Sequence, residues 1–339
     1  MNKQGKKVFA STVLMSLVLT TALVTGNVKA AVNGQATRVG GANRYETAEM
    51  VATSNFTTSD NVVLVSGEGY ADSVSASVLA KELNAPILLT GSKTLDSNAK
   101  LAIETLKAKK VLIVGGEASV SKSIESGLKS DYTVTRLAGS DRYATNLAVA
   151  NYLADTLKVS KDNIIAVSGT GFSDALTVAP VAASKDEIVL LTNNNADSMK
   201  NTIEFAKDSK VTVVGTTYVV SDAIYKSLKA DRRIDGGAYR FDTNLKILKA
   251  FDSDLKTDKL YVANATGNGY ADALVASAIA GKYSAPLVLV DTERSTGTYN
   301  ALSYIGHKAV KDTDIQVIGG RGVVSDAIIQ AINGNVVMR

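Results

Sequence analysis

Short uninterrupted apolar runs alternate along this chain with stretches whose apolar residues recur every three or four positions. Val62-Val63-Leu64-Val65, Pro86-Ile87-Leu88-Leu89-Thr90 and Val111-Leu112-Ile113-Val114 are the first three runs. Ile164 to Val167, Glu187 to Thr192 and Val211 to Val214 repeat the order, and Leu260 to Ala263, Pro286 to Val290 and Ile315 to Ile318 repeat it again. Apolar runs without alternation suit strands of a parallel sheet covered on both faces. Between them, Tyr143, Leu147 and Ala150, like Phe241, Leu245 and Leu248, fall at i, i+4, i+7 and give a helix one apolar stripe. Ser121, Ser221 and Ser325 stand as N-caps before the closing helices, with apolar pairs such as Ile124 and Leu128 just inside. The predicted architecture is α/β: three tandem βαβαβ modules at 31–132, 133–230 and 231–339, behind an N-terminal segment 1–30. Three like modules in one chain close head to tail, so a compact pseudo-three-fold ring is expected.

The module boundaries rest on two recurring motifs. Each module opens on a double-arginine segment: Arg38-Val39-Gly40-Gly41-Ala42-Asn43-Arg44-Tyr45, Arg136-Leu137-Ala138-Gly139-Ser140-Asp141-Arg142-Tyr143, and Arg233 to Phe241, one residue longer, with Arg240 as its second arginine. After the first long strand comes a glycine turn: Ser66-Gly67-Glu68-Gly69-Tyr70-Ala71-Asp72, Ser168 to Asp174, and Thr266 to Asp272.

A glycine turn between strand and helix invites a nucleotide reading, but the third glycine of G-x-G-x-x-G is replaced by Asp72, Asp174 and Asp272. A carboxylate at a helix start satisfies the free amides itself and repels a pyrophosphate. The aspartates are therefore read as helix caps or as ligand contacts. Arg44, Arg142 and Arg240 sit at helix starts, where a cation opposes the macrodipole. Two readings stay open for them: ion pairs, with Asp72, Asp174 and Asp272 as partners, or guanidinium groups held for an anionic ligand.

Composition narrows the chemistry. There is no cysteine and a single histidine, His307, which gives neither a thiolate metal site nor a repeated catalytic base, so no metal or other cofactor is expected. Residues 1–30 read as a secretory signal: Lys3, Lys6 and Lys7, an apolar stretch from Val8 to Val24, and Val28-Lys29-Ala30 before cleavage. Four of the 37 basic residues fall in that segment, leaving 33 against 33 acidic ones. A neutral mature chain gives no bulk attraction to nucleic acid. No membrane span is expected after cleavage, and the protein is expected at the cell surface.

Together, Arg136 to Tyr143, the Asp-Ala-Leu helix starts (Asp174-Ala175-Leu176, Asp272-Ala273-Leu274), Pro86 to Thr90 and Gly115-Gly116 leading to Val120-Ser121 resemble the cell wall binding repeat 2 family. The resemblance spans Arg38 to about Asn333. It implies Rossmann-like or Toprim-like modules in a pseudo-three-fold trimer, on secreted Gram-positive proteins of the surface layer and cell wall. It implies non-covalent anchoring to an anionic, teichoic-acid-like wall polysaccharide, with other surface-layer proteins as further partners. The family's Ile-Leu-Leu strand motif maps onto Ile87, Leu88 and Leu89. Residue chemistry and this resemblance together give an expected ligand-binding set of Arg44, Arg142, Arg240, Asp72, Asp174, Asp272, Ile87, Leu88 and Leu89. The second module departs from the pattern, with Glu187 for proline and Gly215-Thr216 for Gly-Gly; the third has its inserted residue and Phe241 for tyrosine. Module two is accordingly expected to bind less well or to serve structure. The chain is expected to be a non-enzymatic wall-binding protein without its own catalytic domain; the alternative is a cell wall hydrolase of amidase type, or its targeting subunit.

Overall fold

The computed structural model describes residues 35–69, 72–171 and 173–336. The signal segment expected at 1–30 lies outside them. The first repeat runs β1 (Thr37–Val39), α1 (Arg44–Asn55), β2 (Asn61–Ser66), α2 (Ala76–Glu82), β3 (Ile87–Thr90), α3 (Ser97–Thr105), β4 (Lys110–Val114) and α4 (Lys122–Leu128). The second runs β5 (Thr133–Leu137), α5 (Arg142–Asn151), β6 (Asn163–Ser168), α6 (Ser173–Ser184), β7 (Ile188–Thr192), α7 (Lys200–Ala206), β8 (Lys210–Val214) and α8 (Asp222–Ser227). The third runs β9 (Arg232–Ile234), α9 (Arg240–Ala250), β10 (Lys259–Asn264), α10 (Tyr270–Lys282), β11 (Leu287–Val290), α11 (Thr296–Lys308), β12 (Asp314–Ile318) and α12 (Asp326–Asn335).

All the strand pairs are parallel, and they form three four-stranded sheets ordered β3-β2-β4-β5, β7-β6-β8-β9 and β11-β10-β12-β1. The long strands are the apolar runs, with Val62 to Val65 and Leu287 to Val290 buried on both faces. Ser121, Ser221 and Ser325 accept from the amides of Ile124, Ile224 and Ile328 as N-caps.

The fourth strand of each sheet comes from the opening of the next repeat. β5 pairs with β4, β9 pairs with β8, and β1 pairs with β12 in the register Thr37↔Gln316 to Val39↔Ile318. The last repeat is therefore completed by the first, which closes the ring within one chain. The fold thus divides just after the opening strands, whereas the sequence repeats begin with them.

The helices that follow the glycine turns, α2, α6 and α10, pack against one another around the pseudo-three-fold axis. Small residues let them approach. A Cβ on Gly281 of α10 would stand 2.4 Å from the Cβ of Ala183 in α6. Ser77 of α2 and Ser277 of α10 share a buried 2.5 Å hydrogen bond. On the outside, buried asparagines of the opening helices protect the sheet edges. Asn146 bonds to Val189 O and Leu191 N, and Asn244 to Leu287 O and Leu289 N, filling the free ladder positions of β7 and β11. The first repeat has Ala48 at this place.

Candidate functional site at the seams between repeats

The opening motif is an assembly device that works the same way three times. The first arginine of each opening donates across a seam to the glycine ending the third long strand of the preceding repeat. Arg136 Nη1 lies 2.7 Å from Gly115 O, Arg233 Nη1 2.8 Å from Gly215 O, and Arg38 Nη1 2.7 Å from Gly319 O. Each also pairs with an acid of the preceding closing helix: Glu125, Asp222 and Asp326. Contacts from Lys129, Arg136 and Lys122 hold Glu125 down at about 2, against the opposing effect of burial. The opening glycine amides of Gly41, Gly139 and Gly237 donate to the hydroxyls of Thr47, Thr145 and Thr243. The sequence signal for this role is the recurrence of the first arginine itself, at Arg38, Arg136 and Arg233.

The second arginines turn inward to the glycine turn of their own repeat. Arg44 Nη1 bonds to Gly67 O, Arg142 Nη1 lies 2.8 Å from Gly169 O, and Arg240 Nη1 lies 2.6 Å from the carbonyl of Ala265, the residue just before the third turn. Each guanidinium is half-buried. Arg44 also donates to the hydroxyl of Tyr270 at 3.0 Å and lies over its ring, 5.4 Å from the centroid. Tyr270 thus belongs to the seam between the third and first repeats, a role that no local sequence pattern marks.

The aspartates of the turns face the same seams. Gly115, Gly215 and Gly319 have φ of +126°, +116° and +126°, and a Cβ there would come within 3.1, 3.1 and 2.9 Å of Oδ2 of Asp72, Asp174 and Asp272. Glycine is needed for the backbone and for the room beside the carboxylate. Asp72 makes no capping bond; its Oδ2 accepts from Ser119 Oγ at 2.6 Å. Asp272 lies inside the first turn of α10, and no side-chain cap forms at the start of that helix. The cap reading of Asp72 and Asp272 is therefore not what the structure shows, because these carboxylates turn away from the helix amides toward the strand-end glycine.

The electrostatic pairing is also displaced by one repeat. Burial raises the Asp174 carboxyl, and Arg240 of the third repeat offsets the rise. Burial pushes Asp272 up to about 6, opposed by Arg44 of the first repeat and by the Thr47 hydroxyl. Oδ1 of Asp272 is buried with no hydrogen-bond partner among the described residues. Each of these aspartates is thus linked to the arginine of the following repeat, not to that of its own.

Asp174 and Arg240 line a cleft of about 860 Å³ at the seam between the second and third repeats. Thr216, Gly237, Tyr239 and Phe241 contribute to its wall, as do the carboxylates Asp242 and Asp291. Ile87, Leu88 and Leu89 lie elsewhere: they form β3, and all three side chains are in the core. They build the sheet and present no side-chain surface to a ligand. Among the described residues no group of three or more His, Asp or Glu side chains is arranged to hold a metal ion, and no helix is long and apolar enough to cross a membrane. His307 is exposed on α11, its Nδ1 2.6 Å from Ser303 O.

The chain belongs to the cell wall binding domain 2 (CWB2) family, whose model matches residues 38–125, 136–225 and 233–329. It is 33% identical to the N-acetylmuramoyl-L-alanine amidase LytC of Bacillus subtilis over 95% of its length, and 32% identical to the amidase enhancer of the same organism over 75%. It spans 61% of the first relative and 34% of the second. Among solved structures it is similar to Cwp6 from Clostridium difficile, with TM-score 0.78 and 26% identity over 91% of this chain and 50% of that one. Cwp8 from the same organism matches with TM-score 0.77 and 27% identity, over 89% of this chain and 52% of that one. The family model assigns the three repeats to cell wall binding.

Proposed function

We propose that the ring anchors its protein non-covalently to the Gram-positive cell wall by binding an anionic wall polysaccharide at the seams between repeats. The observation that carries this reading is the paired placement of Arg240 and Asp174 in the open cleft between the second and third repeats. The guanidinium offers a planar donor fork to phosphate or carboxylate, and the carboxylate accepts from hydroxyls. The repeats act as a binding module and carry no chemistry of their own. Secretion through the signal at 1–30 delivers the ring to the outer surface. Binding to purified walls before and after extraction of their anionic polymer tests the proposal: retention only on unextracted walls supports it, and equal retention on both overturns it.

A second reading, a cell wall hydrolase of amidase type or its targeting subunit, draws on the names of the two Bacillus subtilis relatives. Zymography on wall material separates the two, since a clearing band belongs to the second reading alone.

A further inference from the structure

Except for Glu187, the departures from the repeat pattern gather at one seam. Thr216, which replaces a glycine, and the lengthened opening from Gly236 to Phe241 all line the cleft between the second and third repeats. The tyrosines at the Phe241 position behave differently from Phe241 itself. A Cβ on Gly67 or Gly169 would strike the rings of Tyr45 or Tyr143 at 2.6 and 2.5 Å, so these rings cover the glycine turns. The Phe241 ring packs instead on Gly297 at the start of α11, 2.8 Å from where a Cβ would stand. The place of Gly67 and Gly169 is held in the third repeat by Ala265, whose amide donates to Val290 O as those of the two glycines donate to Thr90 O and Thr192 O. The repacking carries the wall of the cleft outward to Asp291, Thr296 and Gly297.

Tyr239 is the residue with no counterpart. In the other repeats its place before the second arginine holds Asn43 and Asp141, which cap α1 and α5 by accepting from two amides each. Tyr239 gives α9 no side-chain cap, and the residue is 74% exposed at the edge of the cleft. A tyrosine there gives up a cap worth keeping and buries little surface in return. Tyr218, 91% exposed, stands in the turn whose Thr216 and Val219 line the same cleft.

The charges of the cleft say what the ring is for. Asp174, Asp242 and Asp291 line it together with Arg240. A bare polyanion meets more repulsion than attraction there, whereas hydroxyl groups find acceptors in the carboxylates and donors in Arg240 and the threonines. The face of a tyrosine is electron-rich and takes the polarised C–H face of a pyranose. We propose that this cleft is the sugar-reading site of the ring, with Tyr239 stacking on a pyranose of the wall polysaccharide while Arg240 holds the anionic group. The inference rests on the wall-polymer reading above and assigns its specificity to one seam of three.

The test uses the full chain and two probes: anionic polysaccharide extracted from Gram-positive walls, and sugar-free poly(glycerol phosphate). Tyr239→Asn restores the residue type that caps α1, so its melting temperature rises while its affinity for the polysaccharide falls about tenfold. Tyr239→Phe keeps the ring and binds like the parent. Arg240→Ala reports on the underlying reading and weakens the polysaccharide as well. Polysaccharide affinity unchanged in Tyr239→Asn overturns the stacking site alone, and so does an equal loss on both probes. A parent that binds neither probe overturns the wall-polymer reading and the stacking site with it.

Discussion

The guanidinium of Arg44 and the hydroxyl of Tyr270 meet at 3.0 Å although 226 positions separate them in the chain. Both reach the carbonyl of Gly67, so a single oxygen ties the start of the first repeat to the turn of the third. Above this contact, β1 adds itself to β12 and Arg38 reaches Gly319 and Asp326. Ring closure depends on this seam, and its strength is measurable far from the N-terminus.

Arg38→Ala removes two bonds of the closing strand and leaves every repeat otherwise intact. Amide hydrogen exchange in β12, whose neighbour β1 is only three residues long, is expected to quicken by tenfold or more, roughly the effect of 1.4 kcal/mol. Exchange in β4 and β8 is expected to stay at the parent rate. Equal protection of β12 in parent and variant would show that the strand closes the ring without its arginine.

Asp272 distinguishes a structural role from a ligand role. Its folded carboxyl titrates near 6, above the ordinary 3.8, so between these values the folded state holds a proton that the unfolded chain has lost. Stability therefore falls as pH rises through that window, and the full cost is present above pH 6. Asp272→Asn is expected to stabilise the fold at pH 7 by about 1–3 kcal/mol and to flatten the slope between pH 4 and 6. Thermal melts at pH 5 and pH 7 check this; a variant less stable than the parent at pH 7 would mean that the ionised carboxylate holds Arg44 for the sake of the fold.

Asn244 supplies both hydrogen bonds that the outer edge of β11 takes from α9, at Leu287 O and Leu289 N. Asn244→Ala leaves both groups buried without a partner and is expected to cost about 1–3 kcal/mol. Ala48 holds the corresponding place in the first repeat, so Ala48→Gly, with no side-chain bond to lose, is expected to cost less, about 1 kcal/mol. Denaturant melts of the two variants give the comparison, and an equal loss in both would show that helix propensity, not edge protection, decides the effect.

The long strands, the serine caps and the amphipathic helices were legible because each repeats a local pattern three times. Val62 to Val65 and Ser121 behave as their sequence neighbourhoods require. The opening strands were not legible, since β1 and β9 have three residues each and too little length for a period to show. The offset between arginine and aspartate was hidden for a different reason. Equivalent residues in equivalent repeats give no local signal of which copy meets which, and only the closure of the ring pairs Arg44 with Asp272 and Arg240 with Asp174. Asn146 and Asn244 did leave a trace: an asparagine recurs four residues after the second arginine, inside an apolar stripe where a polar side chain needs a partner. The Ile87-Leu88-Leu89 motif misleads in the opposite direction, because a motif linked to binding can owe its form to the core it fills.

Retention of the parent and of the triple variant Arg44→Ala, Arg142→Ala, Arg240→Ala on purified walls tests the central claim most directly, with melts run beside it to confirm the fold. The parent is expected to bind walls that carry their anionic polymer and to release as salt rises. The folded triple variant is expected to lose at least about tenfold in affinity, since charge-assisted bonds from a guanidinium are worth about 1.5–3 kcal/mol each. A folded triple variant that binds those walls like the parent would contradict the account, and the seams would then be joints of the ring without a ligand.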